Sequence, residues 1–243
     1  MTRTLDISVE YSLKCQSKAH VNIRWTDIAG SPHEFPKGAF PLYPRNEAHR
    51  IRRFINEPDR RLRYASAGLI SDLVAEAFGD ITGLFIDRDR FDRPHISGVE
   101  NADISVSHSG DIVVCALSTG VRIGIDIEQV RPVDISDFDR VFPKSLWEWL
   151  RSDGGCRSKI CDDERFFHAW TQLESVIKAD GRGLGVPLSE LVFDGQRAHI
   201  GLETWYLSKI TVADGYKCSL AGSVPIERCE VKYSRFQPAN LSQ

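Results

Sequence analysis

Apolar positions fall into two rhythms along this chain. A continuous run, Ile112-Val113-Val114-Cys115-Ala116-Leu117, predicts a buried strand at about 111–118, flanked by strands at about 103–107 and 122–128. Upstream, Leu5-Asp6-Ile7-Ser8-Val9 and Val21-Asn22-Ile23-Arg24-Trp25 alternate as strands do, and residues 29–46 are a Gly- and Pro-rich loop. The period then lengthens. Asn56-Glu57-Pro58-Asp59 opens a helix, with a capping Asn, early acids and Pro near its start. It runs through Leu62, Leu69 and Leu73 to Phe78 and is ended by Gly79. Residues 80–100 hold a short strand, Leu84-Phe85-Ile86, and an Arg-rich loop. A stretch from Arg131 to Asp163 carries a helix at Lys144–Leu150. A long helix follows from about Asp163 to Ala179, with Phe166, Trp170, Leu173 and Ile177 on one stripe. Strands near 190–194, 197–201, 204–211, 216–224 and 228–234 complete the pattern. The expected class is α+β, with an N-terminal lobe (1–119) and a C-terminal lobe (120–243), each a long helix on antiparallel strands.

Two of these elements carry acids that can meet. In the strand Gly124-Ile125-Asp126-Ile127-Glu128, residues two apart face the same way. Asp126 and Glu128 therefore project together and Ile125 and Ile127 project oppositely into a core. In the helix, Glu174 and Lys178 lie one turn apart, with Thr171 beside them. Read separately, a helical Glu/Lys pair is most often a solvated surface pair, and the strand is equally a half-buried edge with two exposed acids. Read together, three carboxylates repel one another unless a cation sits among them. Hard oxygen ligands suit Mg²⁺ or Mn²⁺, and a neighbouring lysine suits a phosphate oxygen. Ser107-His108-Ser109-Gly110 is expected to be a polar turn offering hydroxyls, an imidazole and backbone N–H groups to an anion.

Val106-Ser107-His108-Ser109, Gly124 to Glu128 and Trp170 to Leu184, in that order and spacing, resemble the 4′-phosphopantetheinyl transferase superfamily, in particular its long, two-lobed, surfactin-synthetase-activating (Sfp-type) members. Asp92-Arg93-Pro94 stands where that family commonly has Gly-Lys-Pro, and Glu47-Ala48-His49-Arg50 with Phe54 looks like its Glu-x-x-Arg-x-x-x-Phe segment. The resemblance spans about residues 40–195. It implies two pseudo-twofold-related α+β lobes and Mg²⁺-dependent transfer of 4′-phosphopantetheine from coenzyme A to a serine of an acyl or peptidyl carrier protein, with adenosine 3′,5′-bisphosphate leaving. It further implies metal ligands Asp126, Glu128 and Glu174, with Mn²⁺ able to substitute. Glu174 or Glu128 would serve as base and Lys178 would sit on the pyrophosphate. Arg50, Arg88, Arg93, Ser107 and His108 would face the nucleotide, with Arg61 or Arg63 as a further contact, and the enzyme would act as a monomer. The carrier is expected to meet the lobe junction and Arg131–Asp163, where Phe138, Val141, Phe142, Leu146 and Trp147 are apolar contacts or core. Leu173, where the family has lysine, reads as a core residue. With Asp92 it motivates the alternative of a weak or inactive relative that binds coenzyme A or carrier protein.

Composition adjusts this picture only slightly. The chain has 243 residues, 42% of them hydrophobic, enough to bury a core in one large or two modest domains. Its net charge of −3 argues against a nucleic-acid binder. Residues 45–93 nevertheless hold ten arginines and no lysine, a patch suited to a polyphosphate or an acidic protein. The same patch would serve a nucleic-acid module, the remaining rival. A hydrolase built on Ser107, His108 and Asp126 is disfavoured, because adjacent Ser and His point apart and no Gly-x-Ser-x-Gly elbow occurs. The six cysteines form no Cys-x-x-Cys pair, so neither a zinc site nor a disulfide framework is expected. No stretch approaches 18 apolar residues. A cytoplasmic, reduced protein without membrane attachment is the expectation.

Overall fold

The computed structural model describes residues 19–29, 42–44, 49–51, 53, 56–138, 140–152 and 159–235. Strand β1 (Ala19–Asp27) lies antiparallel to β5 (Ile112–Thr119), and β4 (Ala102–Ser109) extends the sheet from the far edge of β5. The apolar run predicted at 111–118 is buried on both faces, as its composition requires. One face takes helix α1 (Glu57–Phe78), which packs Leu62, Leu69 and Leu73 against Val113, Cys115 and Leu117. Pro58 and two acids sit in the first helical turn, but the side chain of Asn56 caps nothing, contrary to expectation. Gly79 closes the helix at φ 71°, a left-handed angle that suits glycine.

The second sheet runs β6 (Ile123–Gln129), β10 (Tyr216–Gly222), β9 (Glu203–Ile210), β8 (Arg197–Ile200) and β7 (Val192–Asp194), antiparallel throughout. Helix α2 (Lys144–Arg151) precedes the long helix α3 (Lys159–Asp180), which lies across β6 and β10. Leu173 and Phe166 are buried in the core beneath α3, with Trp170 and Ile177 partly buried beside them, so the apolar stripe behaves as its spacing predicts. Phe142 and Leu146 join that core, and Phe138 and Trp147 pack on its edge; packing accounts for residues also expected to face a carrier. A third core joins the sheets. Ile123, Ile125 and Ile127 of β6 meet Val21, Ile23, Val114 and Ala116 of the first sheet. Each fully buried isoleucine contributes on the order of 1.5–3 kcal/mol to that junction.

Three features depart from the sequence reading. Ser107, His108 and Ser109 lie on strand β4 rather than in a turn, which is confined to the next residues. The Arg-rich loop is the tip of a hairpin between β2 (Phe85–Arg88) and β3 (Pro94–Ser97). The last strand, β11 (Ile226–Tyr233), was expected among antiparallel strands of the second lobe. It returns instead to the first sheet and pairs with β1 in parallel, giving the order β11-β1-β5-β4. Cys115, Cys218 and Cys229 are free, and burial pushes the thiols of Cys115 and Cys218 up. Cys161 is disulfide-bonded, against the expectation of reduced thiols throughout; such a bond needs only two Cα atoms within about 7 Å, which the lack of a Cys-x-x-Cys pair does not exclude. Among the described residues no helix is long and apolar enough to cross a membrane. The strand expected at Leu5–Val9, together with Glu47, Ala48 and Phe54, lies outside them.

Candidate functional site

Strands β4 and β6 are facing edges of the two sheets, and side chains of β4 supply the hydrogen bonds between them. Asp103 Oδ2 accepts from the N–H of Ile123 at 2.7 Å, Ser105 Oγ from Ile125 at 3.0 Å and Ser109 Oγ from Gln129 at 3.1 Å. A period of two on one strand thus meets a period of two on the other. At Ser107 the pattern turns from backbone to side chain: its hydroxyl donates to Asp126 Oδ1 at 2.8 Å. Ser109 likewise donates to Glu128 Oε2, at 2.5 Å. The serines of β4 therefore both join the sheets and aim the acids of β6.

Helix α3 brings the other half of the site. It crosses β6 at Gly124, where a Cβ would lie 2.1 Å from the carbonyl oxygen of Ser175 and 2.4 Å from the amide nitrogen of Ala179. Glycine is therefore required for this crossing, since the obstacles are backbone atoms. Close approach puts Lys178 Nζ 2.6 Å from Asp126 Oδ1 and 2.8 Å from Ser107 Oγ. Thr171 is fully buried and hydrogen-bonds Ser219 Oγ of β10 at 2.9 Å, pinning the helix. Its role is packing rather than a share in the acid cleft.

The C-terminal end of α3 is held by arginines. Arg93 donates to the carbonyl of Lys178, to Asp103 Oδ2 at 2.5 Å and to the carbonyl of Ile123 at 2.9 Å. Arg122 donates to the carbonyl of Asp180, and Arg182 pairs with the Asp180 carboxylate. Cations at a helix C-terminus complement its dipole and satisfy its last carbonyls. The sequence pattern did not single out Arg122. It marked Arg93 as a residue facing the nucleotide and not as an anchor of α3, since partners 10, 30 and 85 positions away leave no local signature.

Two adjoining cavities result. The smaller, about 380 Å³, is lined by Ser107, His108, Asp126, Glu128, Trp170, Glu174 and Lys178. The larger, about 440 Å³, has Tyr43, Arg63, Arg88, Phe91, Asp92 and Arg93 on its walls. Val106, His108, Glu174 and Lys178 border both. The three acids and the lysine therefore gather in one cleft, and Ile125 and Ile127 point into the core behind it. Of the expected nucleotide contacts, Arg88, Arg93 and His108 line the larger cavity and Ser107 lines the smaller one. Arg50 is next to Ile51 on that wall and bonds Asp92 Oδ1 at 3.2 Å. Arg63 lines the cavity, whereas Arg61 donates to the carbonyls of Ile28 and Ala29.

Electrostatics mark the cleft as unsatisfied. Burial first, then the charge of Asp126 and, more weakly, Glu128, raises the Glu174 carboxyl above its usual range, with Lys178 opposing. Burial, and next to it the charge of Asp126, raises Glu128 against the bond from Ser109. His108 reaches solvent, but the walls around its ring, Lys178 and Arg63 hold it below the ordinary imidazole value. Asp126 is 4% exposed, and its Oδ2 is buried with no hydrogen-bond partner among the described residues. Among those residues no group of three or more His, Cys, Asp or Glu side chains stands close enough to hold one ion, and Lys178 occupies Oδ1. The donor chemistry still fits a hard divalent cation: an unsatisfied buried carboxylate oxygen, flanked by two carboxyls that burial and the charge of Asp126 hold above their usual range.

Comparison with known proteins points the same way. The profile of the 4′-phosphopantetheinyl transferase superfamily matches residues 122–221, from the start of β6 to the end of β10. The chain is 28% identical over 187 residues to the 4′-phosphopantetheinyl transferase Sfp of Bacillus subtilis (strain 168), covering 72% of this chain and 80% of that protein. It is 31% identical over 121 residues to the 4′-phosphopantetheinyl transferase gsp of Aneurinibacillus migulanus, 47% of this chain and 49% of the relative. It is 28% identical over 182 residues to the mouse L-aminoadipate-semialdehyde dehydrogenase-phosphopantetheinyl transferase, 70% of this chain and 58% of that one. The acid-bearing strand and the crossing helix both lie inside the region that matches the superfamily, and over that region the chain is similar to the Sfp-type 4′-phosphopantetheinyl transferases.

Proposed function

We propose that this protein transfers 4′-phosphopantetheine from coenzyme A to a serine hydroxyl of an acyl or peptidyl carrier protein. The observation that carries the reading is the meeting of an arginine-walled cavity with a three-acid cleft at Glu174 and Lys178. The cavity suits a nucleotide with its phosphates, the cleft suits the diphosphate, and the open side admits the carrier serine. The serine oxygen would bond to the β-phosphorus while the bond from that phosphorus to the bridging oxygen breaks, releasing adenosine 3′,5′-bisphosphate. Mg²⁺, or Mn²⁺ in its place, would be held by Asp126, Glu128 and Glu174 and would neutralise charge on the diphosphate.

The chain's own groups account for the remaining roles. Arg50, Arg88, Arg93 and His108 would face the nucleotide phosphates, with Ser107 keeping Lys178 and Asp126 in register. Lys178 would place a fixed positive charge on the diphosphate. Glu174 would take the serine proton, with Glu128 the rival base. Burial makes each a stronger base than a solvated glutamate, which favours proton abstraction near neutral pH. Leu173 lies in the core away from the cleft, so the departure that motivated an inactive relative touches no reacting group. The direct test is labelling of a peptidyl carrier domain with fluorescent coenzyme A and Mg²⁺. Label on the wild-type serine and none on a serine-to-alanine carrier is the expected result; an unlabelled carrier would sink the proposal.

Two further outcomes follow from the cleft. Lys178→Ala should slow transfer and raise the coenzyme A concentration needed for half-maximal rate, since a charge acting on the bound diphosphate is lost. An unchanged requirement would mean that Lys178 serves Asp126 alone. The second outcome concerns pH. The folded pKa values of Glu128 and Glu174 lie above the unfolded ones. Their contribution to stability is therefore complete below the ordinary glutamate pKa and is lost as pH rises through the raised values. Between about pH 5 and pH 8, the rise in melting temperature caused by Mg²⁺ over an EDTA control should grow, because the carboxyls must lose protons to bind a cation. A Mg²⁺ increment that is flat or falls with pH would contradict it.

A further inference from the structure

We infer that Asp92 is an affinity-setting residue of the larger cavity: its carboxylate occupies Arg50 and Arg88 as a built-in anion that an entering phosphate must displace. The inference rests on the coenzyme A reading above. Asp92 sits at the tip of the β2–β3 hairpin on the cavity wall, with φ of 64°, in the left-handed region. Glycine, asparagine and aspartate adopt that conformation most readily, and of these only aspartate carries charge. Asp89 fixes the loop. Its Oδ1 accepts from the N–H groups of Phe91 at 2.8 Å and Arg93 at 3.0 Å, and its carbonyl accepts from the N–H of Asp92 at 3.0 Å. The Asp92 side chain is thereby held beside two cations. Oδ1 lies 3.2 Å from Arg50 Nη1 and Oδ2 lies 3.6 Å from Arg88 Nη1.

Both cations are ones the proposed reaction would direct at phosphate, so carboxylate and ligand draw on the same charge. Arg88 Nη1 also donates to the backbone carbonyl of Asp92 at 2.8 Å. Removing the carboxylate therefore leaves Arg88 anchored to the loop and subtracts only the competing charge. The Asp92 side chain is 64% exposed, so each ion pair is screened and weak. Its displacement should cost a small factor in affinity rather than abolish binding.

The test is calorimetric titration of the full-length protein with coenzyme A, comparing wild type with Asp92→Asn and Asp92→Gly. Both substitutions accept the left-handed angle, and both remove the charge. Each should bind coenzyme A about two- to fivefold more tightly, on the scale of one exposed ion pair. The gain should shrink as ionic strength is raised. Unchanged or weaker binding in the variants, with wild type still binding, overturns the role of Asp92 and leaves the coenzyme A reading standing. Tightening in the glycine variant alone also overturns it, since loop freedom rather than charge would then be the cause. A wild-type protein that binds no coenzyme A removes both.

Discussion

Asp126→Ala lowers carrier labelling by at least about a hundredfold, the usual scale for losing a metal ligand or a catalytic acid–base group. Asp126 is the residue on which the cleft converges. Its Oδ1 takes bonds from Lys178 and Ser107, and its Oδ2 is the buried oxygen without a partner. The substitution removes the proposed cation's innermost ligand and frees Lys178, at 30% exposure, to shift toward the remaining carboxylates. Stability should fall by only about 1–3 kcal/mol, the range for a lost partner of a buried polar group, because Lys178 retains acidic neighbours. A second readout separates chemistry from folding. Asp126 is the leading charge among those raising Glu174, so NMR titration of Glu174 in the variant should show its pKa moving down toward the ordinary value. Near-normal labelling by a folded variant would remove Asp126 from the reaction.

Gly124→Ala, which alters no charged group, should be comparably damaging for a mechanical reason. The added Cβ falls within 2.4 Å of two backbone atoms of α3, neither of which a rotamer change can move. The helix must lift from β6, and the Lys178–Asp126 contact at 2.6 Å and the Thr171–Ser219 contact at 2.9 Å both depend on that approach. Overpacking of this kind costs roughly 1–3 kcal/mol, here toward the upper end since helix and strand are both hydrogen-bonded elements. Thermal denaturation should show the lower stability, and labelling should fall at least tenfold in protein that remains folded, as sub-ångström misplacement of reacting groups is expensive. A variant with wild-type melting temperature and rate would show that the crossing adapts more easily than its distances imply.

Much of this arrangement was legible because it is local. Alternation in Gly124–Glu128 separates acids from isoleucines without knowledge of any partner, and the structure sends Ile125 and Ile127 to the core and Asp126 and Glu128 to the cleft. The spacing of Phe166, Trp170, Leu173 and Ile177 likewise gives the buried side of α3 and hence the side left for Glu174 and Lys178. Long-range pairings were not legible. Ser107 to Ser109 have the composition of a turn, yet their hydroxyls serve a strand edge some twenty residues on, and that need is invisible until β6 lies alongside. Nothing in Ile226–Tyr233 distinguishes a parallel partner at β1 from an antiparallel one nearby. Arg93 shows the same limit: charge was readable, but the three anchoring acceptors were not.

The return of β11 to β1 bears on how such a catalyst can move. A protein made of two plates joined along one edge could open like a clamshell, admitting ligand at the mouth and closing behind it. Here the final strand is laced beside the first described one, and the aromatic rings of Trp25 and Tyr233 meet 4.8 Å apart across that pairing. Serine hydroxyls fasten the opposite margin. The chain leaving the second sheet is thus tied at one margin of the first sheet by the pairing of β11 with β1, and the second sheet itself is tied at the other margin by the serine bonds from β4 to β6.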